Sequence, residues 1–275
     1  MNDTLIVTVF VVIDDVMRAC GHRSHPQART SDAEVLTVAV MAACHFQNHH
    51  ERAVCVMRAL GYLSGPLSVW RFNRRAHRLA DWLPLLVETL GEIFATGEAF
   101  IVDSLPAPVC QRVRAMRCKK VRGRDYCGWC AAKQQTGALW AAFGWRLHLV
   151  VTPQGVPVAF DLVPARLHDL TPIHELTVGL PEGAWVYGDK AYNSADDEAT
   201  IMTGTGVRLV PIRREKMEPN PIDERVGLRR HRKKIEGVNS QLAAWGVQRL
   251  HARTNEGFRI KVHASLLALT CVNAY

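Results

Sequence analysis

The segment Ala99-Phe100-Ile101-Val102-Asp103 divides the chain into two parts with different patterns. A short apolar run that follows Gly97 and ends at an acid is typical of a buried β-strand. Before it, apolar residues recur at helical spacing, and no strand pattern competes with helices over residues 1–95. After it, short β-type runs alternate with helical patterns. The sequence therefore predicts a helical N-terminal part followed by an α/β part.

The order of elements after Asp103 indicates the fold class. Bulky residues alternate over 145–151, and the hairpin signal Thr152-Pro153-Gln154-Gly155 leads into a returning strand over 156–163. Further strands are predicted over 184–187 and 208–212. Helices are predicted over 171–178, from Ser194 onward, over 228–245 and over 258–272. This order predicts an α/β (α+β) fold, in which helices cover a mixed sheet.

The N-terminal part contains local signals for helices. Ser31-Asp32-Ala33-Glu34 is a capping-box pattern, and further helices are predicted over 51–60 and 82–94. The apolar run over 5–13 is too short to span a bilayer, and it has neither a basic leader nor a cleavage site. We therefore expect a buried helix there, in a cytoplasmic protein without a membrane partner.

The composition excludes a disordered or collagen-like chain and suggests an anionic partner. The 275 residues are 48% hydrophobic and 22% charged, which is ordinary for a globular protein. Lys and Arg number 34 against 26 Asp and Glu, which gives a net charge of +8. A basic balance of this kind favours nucleic acid as the partner, although many proteins are modestly basic without a functional reason.

Three acidic residues stand where a metal site can be built. Asp103 is expected to end the first strand, Asp189 to end the fourth strand, and Glu236 to lie within the late helix. Strand ends are the usual binding edge of such sheets. Carboxylates that converge there would form an all-oxygen site suited to Mg²⁺ or Mn²⁺, and a pair of such ions can drive phosphodiester chemistry.

The helix around Glu236 has two distinct faces. Ile235, Val238, Leu242 and Trp245 form one apolar stripe. Glu236 lies on another face, beside basic residues such as Arg232. The spacing alone leaves two interpretations open: a ligand carboxylate flanked by guanidinium groups, or a surface ion-pair network.

Basic residues cluster next to two of the three acids. Residues 110–124 hold seven Lys or Arg and no acid, and residues 208–234 hold ten against four acids. A third run over 70–75 interleaves aromatic residues and arginines. Each well-placed base could neutralise one phosphate, but a solvated charged face is the common alternative. The candidate DNA contacts are Arg71, Arg74, Arg75, Arg112, Arg114, Arg117, Lys119, Lys120, Arg229, Arg232 and Lys233.

The eight cysteines, without a secretion signal, predict a reducing compartment and free thiols. A structural Zn²⁺ held by four thiolates is one hypothesis, whereas a single Cys-x-x-Cys pair without a second close pair favours reduced thiols. Asp161 and Asp169 are candidate fourth carboxylates. Asp161 is nevertheless expected in the returning strand, and Asp169 is expected to cap the helix near Thr171. The grouped cysteines are Cys110, Cys118, Cys127 and Cys130.

Four short motifs occur in order along the chain: Val102-Asp103-Ser104-Leu105-Pro106, Gly144-Trp145-Arg146-Leu147-His148-Leu149, Tyr187-Gly188-Asp189-Lys190-Ala191-Tyr192 and Arg232-Lys233-Lys234-Ile235-Glu236. With these motifs the chain, from about Ser31 to its end, resembles the DDE transposases of bacterial insertion sequences. In many relatives a Tyr, an Arg, a Glu and a Lys recur along the helix of the fourth motif. Arg232 and Glu236 match that pattern, while Arg229 stands in place of the Tyr and Ala243 in place of the Lys.

The resemblance implies an RNase H-like catalytic domain over 96–275 without a large insertion domain. An all-helical domain over 1–95 would precede it and bind DNA ends, mediate dimerisation, or both. The implied activity is cleavage at terminal inverted repeats, followed by joining of the 3′ ends to target DNA through two metal ions. The implied triad is Asp103, Asp189 and Glu236. The implied partners are double-stranded DNA and, on DNA, a second copy of the chain, associated with the nucleoid.

Two other functions remain open from the sequence. An RNase H-like metal-dependent nuclease would share the triad but would not transfer strands. A non-catalytic DNA-binding protein would use the helical part and the basic runs, and it would show no metal-dependent chemistry.

Overall fold

The computed structural model describes residues 2–129 and 141–274, and it has a mixed α/β architecture. The helices of this part are α1 Asp3–Ala19, α2 Asp32–Phe46, α3 His50–Ala59, α4 Val69–Arg78, α5 Trp82–Phe94, α6 Ile173–Thr177, α7 Ala195–Thr205, α8 Ile222–Ala244 and α9 Asn255–Asn273. The strands are β1 Ala99–Gln111, β2 Cys127–Trp129, β3 Ala141–Val151, β4 Pro157–Pro164, β5 Trp185–Gly188 and β6 Arg208–Pro211.

The chain forms two compact units that do not follow the order of the sequence. One unit comprises Met1–Thr89 together with Leu242–Tyr275, and the other comprises Leu90–Gln241. The C-terminal helix α9 therefore belongs with the N-terminal helices, where it packs against α2. Both helices are buried on nearly every side, and a helix that is apolar all round needs cover on all its faces.

The predicted capping box starts α2 and is confirmed. The Ser31 hydroxyl accepts a hydrogen bond from the Glu34 amide at 3.1 Å, and the Glu34 carboxylate accepts one from the Ser31 amide. The same carboxylate accepts hydrogen bonds from the amide and hydroxyl of Ser64, at 2.6 and 2.8 Å. Glu34 therefore also fixes the loop after α3. No helix within the described ranges is long and apolar enough to cross a membrane.

The second unit is built on one mixed sheet with the strand order β2-β3-β1-β5-β6. β1 pairs with β3 antiparallel and with β5 parallel, and β5 pairs with β6 parallel. β4 pairs antiparallel with β3, through the predicted hairpin turn that Gly155 closes with a positive φ of 90°. The mixed sheet that the sequence predicts is therefore present.

The first strand is longer than predicted, and Asp103 does not end it. β1 continues to Gln111, although Pro106 and Pro108 lack an amide hydrogen. Beyond Ile101, β3 is the one described strand that pairs with β1, so on the other edge these prolines interrupt no ladder between described strands. The expectation that Asp103 terminates the strand was wrong, because Asp103 lies inside β1. It comes two residues after Ile101, the last residue of β1 that pairs with β5. The short strand β2 was not predicted.

Helix α8 lies against β5 because a glycine removes the side chain at the point of closest approach. A Cβ added at Gly227 would lie 2.3 Å from the Tyr187 hydroxyl oxygen. One turn later, the His231 ring stacks on the Tyr187 ring, with the ring centroids 5.2 Å apart. Ile235 and Val238 are buried, as the predicted apolar stripe requires. This packing fixes the position of the helix that carries Glu236.

Exchange of two glycines on α8 tests this packing. We expect Gly227→Ala to lower the urea midpoint, because overpacking against the buried Tyr187 costs about 1–3 kcal/mol. Gly237→Ala is the matched control, since a Cβ there meets nothing within 4 Å. It should raise the urea midpoint, because the higher helix propensity of Ala adds up to about 1 kcal/mol to the free energy of unfolding. Equal shifts for the two variants would contradict the close approach.

Candidate active site

The three carboxylates of the predicted triad line one small cleft of about 130 Å³. Asp103 lies in β1, Asp189 directly follows β5, and Glu236 lies in α8. Arg232, one turn before Glu236, lines the same cleft, and Ile101 and Ile235 are among its apolar walls. The fold therefore brings acids from three separate elements to one place.

Asp103 is the most constrained of the three acids. Its carboxylate accepts hydrogen bonds from the Ser104 amide at 2.8 Å and from the Asn239 side-chain amide at 2.7 Å. Burial, together with the negative charges of Asp189 and Asp169, raises the pKa of Asp103 to about 7, while the two hydrogen bonds act in the opposite direction. A carboxyl group in this state holds its proton near neutral pH unless a cation compensates its charge.

Asp189 directly follows β5, as predicted. Its carboxylate accepts a hydrogen bond from the Ala191 amide at 2.8 Å, which caps the short 3₁₀ turn Lys190–Tyr192. Burial raises the pKa of Asp189, and Asp169 adds to the rise, whereas the Ala191 amide and the charges of Arg232 and Arg146 lower it. The backbone therefore fixes the direction of this carboxylate.

Glu236 lines the cleft but is engaged elsewhere. Its carboxylate lies 3.2 Å from the Arg232 guanidinium, in an i,i+4 pair whose side chains are 62% and 63% exposed. Such an exposed pair contributes little to stability and is easily exchanged. Among the residues that the structure describes, no three His, Cys, Asp or Glu side chains lie close enough to hold one metal ion. Glu236 is therefore beside the two aspartates without being grouped with them.

The sequence analysis missed Asn239, which connects α8 to β1 through Asp103. The sequence does contain a sign of this role: Asn239 follows Glu236 by three residues, and this spacing places both side chains on one side of the helix.

The role predicted for Asp169 was wrong. It does not cap a helix, because α6 begins at Ile173 with Pro172 before it and no side-chain cap. Asp169 instead pairs with Arg146 at 2.7 Å. Its charge also acts on Asp103 and Asp189, so it belongs to the electrostatic surroundings of the cleft. The other candidate carboxylate, Asp161, lies in β4 as expected.

The candidate DNA contacts of the second unit lie on two segments. Arg229 and Lys233 are exposed on α8. Arg114, Arg117 and Lys119 are exposed within and just after the 3₁₀ segment Arg112–Arg117, whereas Lys120 donates a hydrogen bond to the Val109 carbonyl at 2.8 Å. The side chain of Arg112 lies outside the described part.

The candidate contacts of the first unit lie on α4 and differ in availability. Arg71 and Arg74 are exposed. Arg75 forms an ion pair with Asp32 and donates a hydrogen bond to the Thr30 carbonyl at 2.8 Å. Its guanidinium is therefore partly committed to the fold.

The cysteine hypothesis concerns residues that the structure describes only in part. Cys130 lies outside the described ranges, so the four-thiolate zinc site stays a hypothesis. Within the described ranges, Cys110 and Cys118 are neighbours, and each affects the pKa of the other's thiol. Burial, together with the neighbouring Cys118, raises the pKa of Cys110 to about 11.

The oxygen donors of the cleft fit a hard divalent cation. Asp103 and Asp189 are both carboxylates, and the charge of Asp189 raises the cost of ionising Asp103; a bound cation would offset that cost. Mg²⁺ is usually held by one or two carboxylates, with waters and substrate phosphates completing its coordination. The two aspartates supply that number of protein ligands.

Comparison with known proteins gives one match. The model of the transposase DDE domain family matches residues 94–255, which is more than half of the chain and includes all three acids of the cleft. Searches of the curated proteins and of the solved structures found no significant match.

The raised pKa of Asp103 predicts how stability depends on pH. The folded protein holds this proton more tightly than the unfolded chain does. The resulting stabilisation is complete below about pH 4, the ordinary Asp value, and is lost as the pH rises through about 7. In EDTA, Asp103→Asn should therefore resist urea better than the unaltered protein at pH 8, and this advantage should shrink towards pH 4.

The control for this measurement is Asp196→Asn, which removes an exposed acid of α7 outside the cleft. It shows what the loss of one negative charge does by itself. An Asp103→Asn variant that gains nothing over the unaltered protein at pH 8 would contradict the raised pKa.

Proposed function

The chain belongs to the transposase DDE domain family, and from that premise we propose that it cleaves DNA at the terminal inverted repeats of an insertion sequence and joins the 3′ ends to target DNA. The observation that carries the proposal is the single cleft that Asp103, Asp189, Glu236 and Arg232 line. Carboxylates supply metal ligands and guanidinium groups bind phosphate, and phosphodiester chemistry needs both.

The topology supports an RNase H-like catalytic core. Three antiparallel strands, β4, β3 and β1, are followed in the sheet by the parallel strands β5 and β6, and α8 packs against β5. No further folded domain is needed between β6 and α8, since only residues 212–221 separate them. In this proposal the acids occupy the first strand, the end of the neighbouring parallel strand, and the helix that follows β6.

Asp103 and Asp189 are the residues that would hold Mg²⁺ or Mn²⁺, with Glu236 joining them. Two bound metal ions would make the attacking oxygen a better nucleophile and would neutralise the charge that develops on the phosphate. Asn239 keeps the Asp103 carboxylate directed into the cleft, and the Ala191 amide does the same for Asp189. Two fixed carboxylates therefore need no reorganisation before the reaction.

Arg232 connects the acids to a basic surface. It lines the acidic cleft and also a neighbouring groove of about 310 Å³, which is lined as well by Arg213, Arg225 and Arg229. Arg213 is already held by Glu198, through two hydrogen bonds of 2.6 and 2.7 Å. The others are exposed, so a DNA strand lying in this groove would place a phosphate next to the three acids.

The exposed Arg232–Glu236 pair suggests how the triad is completed. A phosphate that binds Arg232 would compete for its guanidinium, and Glu236 would be released towards the aspartates. In the proposed hydrolysis, the water oxygen bonds to phosphorus while the bond to the 3′ oxygen breaks, and the 3′ oxygen leaves with a proton. The freed 3′ hydroxyl then attacks a target phosphodiester in the same way. Dimerisation on DNA stays a prediction.

Substitution of the three acids tests the proposed function. Asp103→Asn, Asp189→Asn and Glu236→Gln should each reduce Mg²⁺- or Mn²⁺-dependent nicking by at least about 100-fold, because each removes a ligand charge at the reaction centre. DNA binding in EDTA should remain. The substrate is a supercoiled plasmid that carries the coding sequence with its native flanking DNA, and nicks and joined products are mapped by sequencing.

Asp196→Asn is again the matched control and should nick like the unaltered protein. Full nicking by any of the three variants would remove that residue from the site. Nicking without joined products would favour the nuclease without strand transfer. Binding with no metal-dependent nicking by the unaltered protein would favour a non-catalytic DNA-binding protein.

A further inference from the structure

The turn after β5 carries the second acid of the cleft and comprises residues 189–193, which we call the Asp189 turn. The Ala191 amide directs the Asp189 carboxylate, but a single 3₁₀ turn of three residues is not stable by itself, so contacts outside the turn must hold it. We infer that Asn193 is a positioning residue for Asp189, because its side chain connects the turn to β6 and α7. This inference rests on the proposed function, in which Asp189 is a ligand of a divalent cation.

Asn193 closes the Asp189 turn with two hydrogen bonds from its side-chain amide. The Nδ2 group donates to the carbonyl of Lys190 at 3.2 Å, inside the turn, and to the carbonyl of Ile212 at 2.5 Å, just after β6. The backbone amide of Ile212 donates to the carbonyl of Gly188 at 3.1 Å. Ile212 therefore binds the chain on both sides of Asp189, and it also lines the cleft.

The oxygen of the same side chain is bound as well. Arg213 donates a hydrogen bond to Oδ1 of Asn193 at 3.3 Å. The Arg213 guanidinium is itself fixed by the Glu198 carboxylate of α7, through bonds of 2.6 and 2.7 Å. Asn193 therefore connects the Asp189 turn to α7 in addition to the residue that follows β6.

The contacts of Asn193 require the chemistry of an asparagine. Its amide has N–H donors for two carbonyl groups and an oxygen acceptor for the guanidinium, so the partners use both ends of the side chain. Aspartate has the same shape but has no donor, and alanine has neither function. Substitution by alanine therefore releases the turn from Lys190, Ile212 and Arg213 together.

Packing gives the Asp189 turn a second, different kind of support. Tyr192 is 1% exposed, and a Cβ added at Gly188 would lie 3.0 Å from its ring. Apolar packing is not directional, whereas hydrogen bonds are, so the ring keeps the turn in place while Asn193 sets its orientation. Loss of the Asn193 side chain should therefore leave the turn attached and loosen the direction of the Asp189 carboxylate.

The affinity for Mn²⁺ in the absence of DNA tests this inference. Asn193→Ala in the full chain should raise the Mn²⁺ dissociation constant by about 10-fold or more, because partners that orient a metal ligand change metal affinity by about 10- to 100-fold. The dissociation constant is measured from the EPR signal of free Mn²⁺. Saturating Mn²⁺ should restore nicking to within about twofold of the unaltered protein, since the variant retains every proposed ligand and loses only binding.

Ile201→Val is the matched control for lost stability. It removes one methyl group from the buried core of the second unit, on α7, and Ile201 lies outside the lining of the cleft. This variant should lower the urea midpoint, but its Mn²⁺ dissociation constant should stay within about twofold of the unaltered value. If Asn193→Ala does not fold, Asn193→Ser takes its place, because the serine hydroxyl is too short to reach both carbonyl groups.

Three results would overturn the inference. A folded Asn193 variant that binds Mn²⁺ as tightly as the unaltered protein would show that Asp189 needs no such support. Equal weakening by Ile201→Val would show that the loss follows stability and not the direction of Asp189. Nicking that saturating Mn²⁺ does not restore would show that Asn193 acts on something other than cation binding.

Asp103→Asn separates the failure of this inference from the failure of the proposed function. If the unaltered protein binds no Mn²⁺, or if Asp103→Asn binds it as tightly as the unaltered protein, the proposed function fails and this inference fails with it. If Asp103→Asn weakens Mn²⁺ binding and the folded Asn193 variant does not, the inference alone fails.

Discussion

The hydrogen bond from Asn239 to Asp103 joins the helix that carries Glu236 to the strand that carries the first acid. A second attachment holds α8 twelve residues earlier, or about 18 Å along the helix, where Gly227 and His231 pack on Tyr187. With two points fixed, α8 can neither slide along the sheet nor rotate freely. The position of the cleft depends on these two attachments.

The electrostatics of the cleft follow from where the fold places charge. Burial and the charge of Asp189 raise the cost of ionising Asp103, while Arg232 and Arg146 offset part of the cost of ionising Asp189. Acids in the centre and bases at the rim suit a cation bound inside and a phosphate bound outside. The same separation explains why the net charge of +8 coexists with an acidic site.

Local signals in the sequence predicted much of this arrangement, while contacts between distant elements lay beyond them. The capping box at Ser31, the hairpin turn at Gly155 and the place of Asp189 after β5 depend on a few adjacent residues, so pattern alone found them. The length of β1 depends on which strands pair with it. The roles of Asn239 and Asp169 depend on partners far away in the chain, which no spacing rule identifies.

The central claim is that Asp103 and Asp189 bind a divalent cation in the cleft beside Glu236. The most direct test is an anomalous difference map from crystals of the full chain soaked in Mn²⁺. The account predicts a peak in contact with both aspartate carboxylates, and its absence from crystals of Asp103→Asn. A map of the unaltered protein with no peak in the cleft, at a Mn²⁺ concentration that supports nicking, would contradict the account.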